Sequence, residues 1–183
     1  MTGDSGRAAF LAEKNPRFVP APKGLPGRLC LWHFPSKQQL VYSREVEGCD
    51  VVVTLQGVNE QRQMEMIPKS CSALGMEWIQ VDFWACYHRH SGNSAGHERL
   101  VALFDSLIEL LRAGRSILIH CAAGVHRTGM CVYGLLRRLG LSSDAALEYI
   151  KALRPITYLH CGMQRFNEME ERCVAWGFDA ANK

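Results

Sequence analysis

A cysteine and an arginine lie at the two ends of a short glycine-containing segment in the second half of the chain. Cys121 is followed six positions later by Arg127, and Thr128 and Gly129 come directly after the arginine. An ionised thiol is a strong nucleophile, and a guanidinium offers a planar pair of donors that matches two phosphate oxygens. These residue types at this spacing predict attack of Cys121 on phosphorus, with Arg127 holding the phosphate oxygens.

The residues around Cys121 make this pattern more specific than the spacing alone, because Cys131 and Arg137 repeat the same spacing. The apolar run 116–119 is typical of a buried strand, and a helix-forming segment at 130–139 follows the glycine loop. A strand that turns through such a loop into a helix directs backbone N–H groups and a helix N-terminus at one point. That arrangement favours an anion and a thiolate. The alternative is a buried structural cysteine.

The segment His120-Cys121-x5-Arg127-Thr128-Gly129 resembles the signature of the cysteine-based protein tyrosine phosphatase superfamily. The chain length and the helix-rich part after the loop resemble its dual-specificity branch. The resemblance implies that His120 supports the loop and that Cys121 attacks. It implies that Arg127 binds phosphate and that the Thr128 hydroxyl helps the thiolate to leave. It further implies phosphate contacts along the loop, at Ala122, Ala123, Gly124, Val125, His126 and Arg127.

A proton donor for the leaving group is the next residue that the resemblance implies, on a loop upstream of the cysteine. Asp82 follows a strand predicted at 77–81, at the carboxyl end where the site of a parallel sheet lies. It precedes Cys121 by 39 positions and no proline follows it, which departs from the family's usual loop. Glu98 and Asp105 are the alternative acids. Asp82 could also simply cap a turn.

The segment 83–96 is aromatic, polar and glycine-bearing, and is predicted to be a loop. Four side chains could form a wall beside the phosphate that contacts the substrate: Trp84, Tyr87, His88 and Arg89. The alternative is an ordinary solvated loop. Four side chains could be drawn as metal ligands: Cys86, His88, His90 and His97. Because their spacing matches no common zinc site, we expect no metal and no other cofactor.

Three further positions near the predicted site have two interpretations each. Gln164 could orient the water that hydrolyses a phosphocysteine, or be a polar residue on a helix face. His126 could sense substrate charge at the rim of the site, or be an ordinary surface histidine. Cys86 or Cys161 could form a reversible disulfide with Cys121 on oxidation, which the sequence alone does not test.

Composition limits the class of protein. The chain has 183 residues, of which 48% are hydrophobic and 21% charged, as expected of one soluble domain. A net charge of +3 is too small to indicate nucleic acid or membrane partners. No stretch approaches the roughly 18 apolar residues of a membrane span. Eight cysteines at irregular spacings indicate reduced thiols, so we expect a cytoplasmic protein. The oligomeric state is left open.

Strands that alternate with helices predict an α/β fold. We expect a central, mostly parallel sheet of about four to five strands flanked by helices, as in the sandwich of protein tyrosine phosphatases. Residues 1–27, which hold four prolines, are predicted to be an extended N-terminal arm laid across the domain through Phe10, Leu11 and Phe18. Residues 28–183 are predicted to form a single phosphatase-like catalytic domain. Strands are predicted at 29–34, 50–55, 77–81 and 116–119, and helices at 37–47, 59–74 with an interruption at Pro68, 97–113, 130–139, 144–153 and 162–176.

The sequence therefore predicts a phosphomonoester hydrolase that acts through a phosphocysteine intermediate. The preferred substrates are phosphorylated proteins carrying phosphotyrosine, with dual specificity left open. An RNA 5′-triphosphatase on the same loop would favour a broad basic surface. Phosphoinositide-specific relatives tend to carry lysines in the loop, where this chain has Ala122 and Val125. A non-catalytic phosphate-binding module is the last alternative, but binding alone needs no thiol.

Overall fold

A central sheet runs through the protein, for which a computed structural model describes residues 14–60, 64–87 and 94–178. The strand order is β1-β2-β5-β3-β4, with β1 antiparallel to β2 and the other pairs parallel. This confirms the α/β fold with a mostly parallel sheet of four to five strands. The strand before Cys121, β5, is in the middle. The strands are β1 (Val19–Pro20), β2 (Arg28–Trp32), β3 (Val51–Thr54), β4 (Glu77–Gln80) and β5 (Ser116–His120).

Eight helices accompany the sheet in the described part of the chain. Two of them begin at serines whose hydroxyls accept a backbone N–H: Ser36 before α1 and Ser142 before α6. None of the described helices is long and apolar enough to cross a membrane. The helices are α1 (Lys37–Glu45), α2 (Met66–Ala73), α3 (Phe83–Tyr87), α4 (Ser94–Arg112), α5 (His126–Arg138), α6 (Ser143–Leu153), α7 (Pro155–Cys161) and α8 (Met163–Ala175).

Three helical segments differ from the sequence prediction. Residues 83–87 form α3 rather than a loop, because burial of Phe83, Cys86 and Tyr87 stabilises a helix that its own propensity does not. Residues 155–161 form α7, since Pro155 both ends α6 and occupies the first turn of the next helix. Pro68 does not interrupt α2, because it lies in the first turn, where no backbone N–H is needed.

The two faces of the sheet bury separate apolar clusters. Along β5, Ile117 and Ile119 face the cluster under α4 and α5, whereas Leu118 faces the cluster under α1 and α2. This alternation follows from the two-residue period of a strand. All five residues of β5 are buried, so the segment that leads to Cys121 is held by packing on both faces.

The described part of the N-terminal arm joins the sheet. Val19 and Pro20 pair with β2, and Phe18 is buried in the cluster under α1 and α2. Phe10 and Leu11, predicted to cover the domain, lie outside the described residues.

An almost fully buried arginine joins α5 to α8. Arg137, with 4% of its side chain exposed, donates from Nε and Nη2 to the two carboxylate oxygens of Glu170, at 2.7 and 2.9 Å. Tyr133 donates its hydroxyl to the same carboxylate at 2.9 Å. A comparable two-point pair on the surface joins Arg138 to Asp105, whose side chain is half exposed.

These two pairs are expected to differ in their contribution to stability. Glu170→Gln leaves the buried Arg137 without its charged partner, so we expect a loss of about 1–3 kcal/mol in the free energy of unfolding. Asp105→Asn breaks the exposed pair and should cost less than about 1 kcal/mol. Urea unfolding followed by circular dichroism measures both. Equal losses in the two variants would contradict this assignment.

Candidate active site

The loop between β5 and α5 holds the predicted nucleophile at its start. Cys121 is 3% exposed, and Ala122 and Ala123 beside it are exposed. The hydroxyl of the buried Thr128 donates to the Cys121 sulfur at 3.1 Å. A hydroxyl at this distance stabilises negative charge on the sulfur, so Thr128 lies where the resemblance implied a role for it.

Hydrogen bonds hold the carbonyl oxygens of this loop outward. The Ala122 carbonyl accepts the Phe34 N–H at 3.0 Å. The Gly124 carbonyl accepts from Arg154 Nη1 at 2.8 Å and from the Thr157 hydroxyl at 2.7 Å. These two carbonyls are thus bound by partners outside the loop, an arrangement that favours N–H groups directed at a bound anion.

A glycine is required at the top of the loop. Gly124 has φ of +67°, a conformation that other residues rarely adopt. A Cβ atom there would also overlap the Trp32 carbonyl at the end of β2. The loop therefore packs directly on the neighbouring strand, and the glycine seen in the sequence has both a conformational and a steric cause.

The N-terminus of α5 faces the same loop. Its N-cap residue is Val125, whose side chain makes no hydrogen bond to the first turn. An uncapped first turn of a 13-residue helix presents free N–H groups and a partial positive charge. Arg127, 9% exposed, lies in this turn. The loop and the helix together form a site suited to a phosphate group.

A glutamate that sequence reasoning missed binds the phosphate-site arginine. Both carboxylate oxygens of Glu60 accept from Arg127 Nη1 at 2.6 Å, and the Gly57 N–H donates to one of them at 2.8 Å. Among the described residues, Arg127 uses only Nη1 for hydrogen bonds, so its Nε–Nη2 edge remains for two phosphate oxygens. Partial burial raises the pKa of Glu60, but Arg127 and the Gly57 N–H outweigh it and hold the pKa below its ordinary value. The signal in the sequence that could have identified Glu60 is its position as an acidic residue just after β3, the strand that pairs with β5.

His120 precedes the nucleophile and is fully buried. Its Nε2 lies 2.8 Å from the Thr54 hydroxyl oxygen, to which Trp78 Nε1 donates at 2.9 Å. Burial lowers the pKa of His120 to about 3, and the nearby His33 and Arg127 add to this effect. The imidazole is therefore neutral at physiological pH and acts through hydrogen bonds rather than charge.

Asp82 lies at the carboxyl end of β4 and is exposed. Its Oδ1 accepts the Ala85 N–H at 3.0 Å, so it caps α3, and its Oδ2 lies beside Gly57 on the same side as Glu60. Gly57 therefore contacts both Asp82 and Glu60, and Glu60 is the residue that pairs with Arg127. Asp82 also borders a cavity of about 770 Å³, which Glu98 lines too but Cys121 and Arg127 do not.

The structure places the two alternative acids differently. Glu98 is exposed on the first turns of α4 and shares the cavity with Asp82. Asp105 pairs with Arg138 at the far end of α5, about 16 Å along the helix axis from Arg127. Asp105 is therefore far from the phosphate loop, whereas Asp82 lies beside Gly57, whose N–H donates to the partner of Arg127.

Other predicted site residues lie around the rim. Gln164 is exposed in the first turn of α8 and donates to Glu168 at 3.0 Å. His126 is exposed as the first residue of α5, and burial of part of its ring and the nearby Arg165 lower its pKa. Burial raises the pKa of Cys161 to about 12, and its thiol donates to the His126 carbonyl.

The predicted substrate wall is described only in part. The Phe83 and Tyr87 rings of α3 stack on each other, the Trp84 ring meets both of them edge to face, and Cys86 is buried. His97 lies on α4, where its Nε2 is 3.4 Å from Arg172 Nη1. Within residues 14–60, 64–87 and 94–178, no group of three potential ligands could hold a metal ion. His88, Arg89 and His90 lie outside the described residues.

Comparison with known proteins was made on sequence and on structure. The profile of the tyrosine phosphatase family matches residues 48–162, and no curated protein sequence matches significantly. The active form of Tk-PTP is 24% identical, covering 80% of this chain and 93% of its own, with a TM-score of 0.56. Kinase associated phosphatase is 14% identical, covering 88% of this chain and 95% of its own, with a TM-score of 0.69. PTPMT1 in complex with PI(5)P is 18% identical, covering 79% of this chain and 93% of its own, with a TM-score of 0.56.

These structural similarities support the fold, and the family profile supports the relationship by sequence. The matched region runs from just before β3 to the end of α7. It therefore spans more than half of the chain and contains the loop with Cys121 and Arg127. The chain belongs to the tyrosine phosphatase family, and is a phosphatase of the cysteine-based protein tyrosine phosphatase superfamily.

Proposed function

We propose that this phosphatase hydrolyses phosphomonoesters on proteins through a phosphocysteine intermediate, with phosphotyrosine as the main substrate. The observation that carries the proposal is the geometry of the loop. Thr128 donates to the Cys121 sulfur at 3.1 Å, while the Ala122 and Gly124 carbonyls are bound outside the loop. A thiol held in this way at an uncapped helix N-terminus is placed to attack phosphorus rather than only to bind phosphate.

In the first step, the Cys121 sulfur forms a bond to phosphorus and the bond to the leaving oxygen breaks. The Nε–Nη2 edge of Arg127 and the loop N–H groups stabilise the oxygens of the transition state. Glu60 binds Nη1 of the same guanidinium, so the Arg127 side chain is already ordered before the substrate binds. Asp82 donates a proton to the leaving oxygen.

In the second step, water attacks phosphorus and the sulfur leaves. Asp82, now a carboxylate, accepts a proton from this water, and the Thr128 hydroxyl stabilises the departing thiolate. Gln164 is proposed to orient the water, which requires its side chain to leave Glu168. The cycle needs no metal or other cofactor.

The charges near the site favour a substrate with a single phosphate. Glu60 places a carboxylate on the guanidinium that binds phosphate, and Ala122, Ala123 and Val125 add no positive charge to the loop. A second phosphate on the same substrate would be repelled by the Glu60 carboxylate and would meet no lysine in the loop. A phosphorylated protein side chain, which presents one isolated phosphate, fits better than an RNA 5′-triphosphate.

A phosphoinositide is the second candidate substrate. The observation that favours it is the similarity to PTPMT1, whose structure was determined in complex with PI(5)P. The absence of lysine from the loop argues against it.

The eight cysteines are all free and buried, which supports the cytoplasmic location proposed for the protein.

The nucleophile is tested by Cys121→Ser. Because serine does not ionise at neutral pH, release of phosphate from an aryl phosphate in a chelator should fall by about three orders of magnitude or more. Cys131→Ala is the matched control, since it removes the other cysteine that has an arginine six positions later, and it should keep most of the activity. Turnover by the serine variant at the wild-type rate would contradict the assignment.

The general acid is tested by Asp82→Asn with Glu98→Gln as its control. An acid that must be protonated gives a rate that falls as pH rises through its titration, so Asp82→Asn should lower kcat about 10²–10³-fold and remove this alkaline decline. The loss should be larger for an alkyl phosphate than for p-nitrophenyl phosphate, whose leaving group needs less protonation. If Glu98→Gln alone removes the decline, Glu98 is the acid.

The substrate class is tested by competition. We expect kcat/KM to be highest for a phosphotyrosine peptide when it is compared with PI(5)P in vesicles and with a 5′-triphosphorylated RNA, because Glu60 repels additional phosphates and the loop carries no lysine to bind them. Phosphate release from each substrate, alone and in mixtures, measures this. A higher kcat/KM for PI(5)P would replace the protein substrate by a phosphoinositide.

A further inference from the structure

A line of hydrogen bonds crosses three strands and ends at the residue before the nucleophile. Trp78 on β4 donates from Nε1 to the Thr54 hydroxyl oxygen on β3, at 2.9 Å, and this oxygen is 2.8 Å from His120 Nε2 on β5. Thr54 and His120 are register partners in the parallel sheet and both are fully buried. The line thus leads from the half-buried indole at the sheet edge to the base of the phosphate loop.

The direction of these bonds follows from the donors and acceptors present. An indole nitrogen can only donate, so Trp78 occupies one lone pair of the Thr54 oxygen. Within the described residues, His120 Nε2 is the other partner of this oxygen. If Nε2 carried a proton, both neighbours would donate to Thr54, and its own buried proton would have no acceptor. Such an orphaned donor is unfavourable, so the Thr54 hydroxyl donates and Nε2 accepts.

The proton of the imidazole must then lie on the other nitrogen. His120 is neutral, because burial lowers its pKa to about 3 and the charged or titratable groups that face it, Arg127 and His33, lower it further. A neutral ring carries one proton, which Nε2 does not hold. Nδ1 is buried, makes no hydrogen bond of regular geometry with any described residue, and faces the main chain of Cys121.

We propose that Trp78 and Thr54 are positioning residues that hold His120 in the Nδ1–H tautomer, with this N–H directed at the Cys121 carbonyl. In the other tautomer, the Nδ1 lone pair would face that carbonyl, and the repulsion between two acceptors would displace the start of the loop. The line of bonds therefore keeps the Cys121 carbonyl turned away from the sulfur. The proposal rests on the role of Cys121 proposed above, but the tautomer can be measured without turnover.

Nitrogen NMR of histidine-labelled protein tests the tautomer directly. His120 is recognised as the histidine whose two nitrogen shifts do not change between pH 5 and 8, because its ring stays neutral. We expect a pyrrole-type shift at Nδ1 and a pyridine-type shift at Nε2. In Thr54→Val the Nε2 shift should move to that of a nitrogen without a hydrogen bond, and Thr54→Ser should restore it. A pyrrole-type Nε2 in the unmodified protein would overturn the proposal.

The consequence for the nucleophile is tested by the pH dependence of alkylation. The groups near the Cys121 sulfur stay unchanged in these variants: the Thr128 hydroxyl and the thiols of Cys131 and Cys161. In Thr54→Val we expect the midpoint of the iodoacetamide rate–pH curve to rise and kcat/KM at pH 7 to fall about three- to tenfold, with KM nearly unchanged. Thr54→Ser should reverse both effects.

Tryptophan variants separate positioning from general stability. Trp78→Phe removes only the first donor and should shift the alkylation midpoint in the same direction as Thr54→Val, whereas the matched Trp176→Phe, beyond the end of α8, should not. A lower melting temperature in Thr54→Val with an unchanged midpoint would reduce the line of bonds to a structural role and overturn the proposal. If Cys121→Ser were active, the nucleophile assignment would fail while the tautomer measurement stood on its own.

Discussion

The site depends on the outward orientation of the loop carbonyls. A single carbonyl turned inward would place negative partial charge beside both the sulfur and the phosphate. The groups that prevent this come from distant parts of the chain. The Phe34 N–H follows β2, the Arg154 guanidinium comes from the residue between α6 and α7, and the Thr157 hydroxyl comes from the first turn of α7. The shape of the segment 120–129 therefore depends on contacts with distant parts of the domain.

The two arginines beside the loop, Arg127 and Arg154, bind different groups and so do not compete for the same partner. Arg127 is in the first turn of α5 and holds Glu60 with one nitrogen. Arg154, 2% exposed, lies on the other side, over the Trp32 ring at 5.2 Å and bound to the Gly124 carbonyl. A buried guanidinium there raises the positive potential of the site without using the donors that would bind phosphate.

The sequence was most informative where local chemistry and local structure agree. The run 50–55 and the run 116–119 before Cys121 were predicted as buried strands because their apolar residues need burial on both faces. Gly124 could be interpreted before the fold was known, since a loop that turns into a helix requires it. The helix at 83–87 was wrongly predicted as a loop, because only tertiary burial of Phe83 and Tyr87 stabilises it. Glu60 and Arg154 were missed because their partners are 67 and 30 positions away.

The strand order restrains the two sides of the proposed catalytic centre unequally. Cys121 follows β5, which is hydrogen-bonded to β2 on one side and to β3 on the other. Asp82 follows β4, which in the described part of the chain pairs with β3 alone. A strand with one neighbour detaches at lower free energy than a strand with two. The edge position of β4 therefore leaves the segment that carries Asp82 less restrained than the segment that carries Cys121.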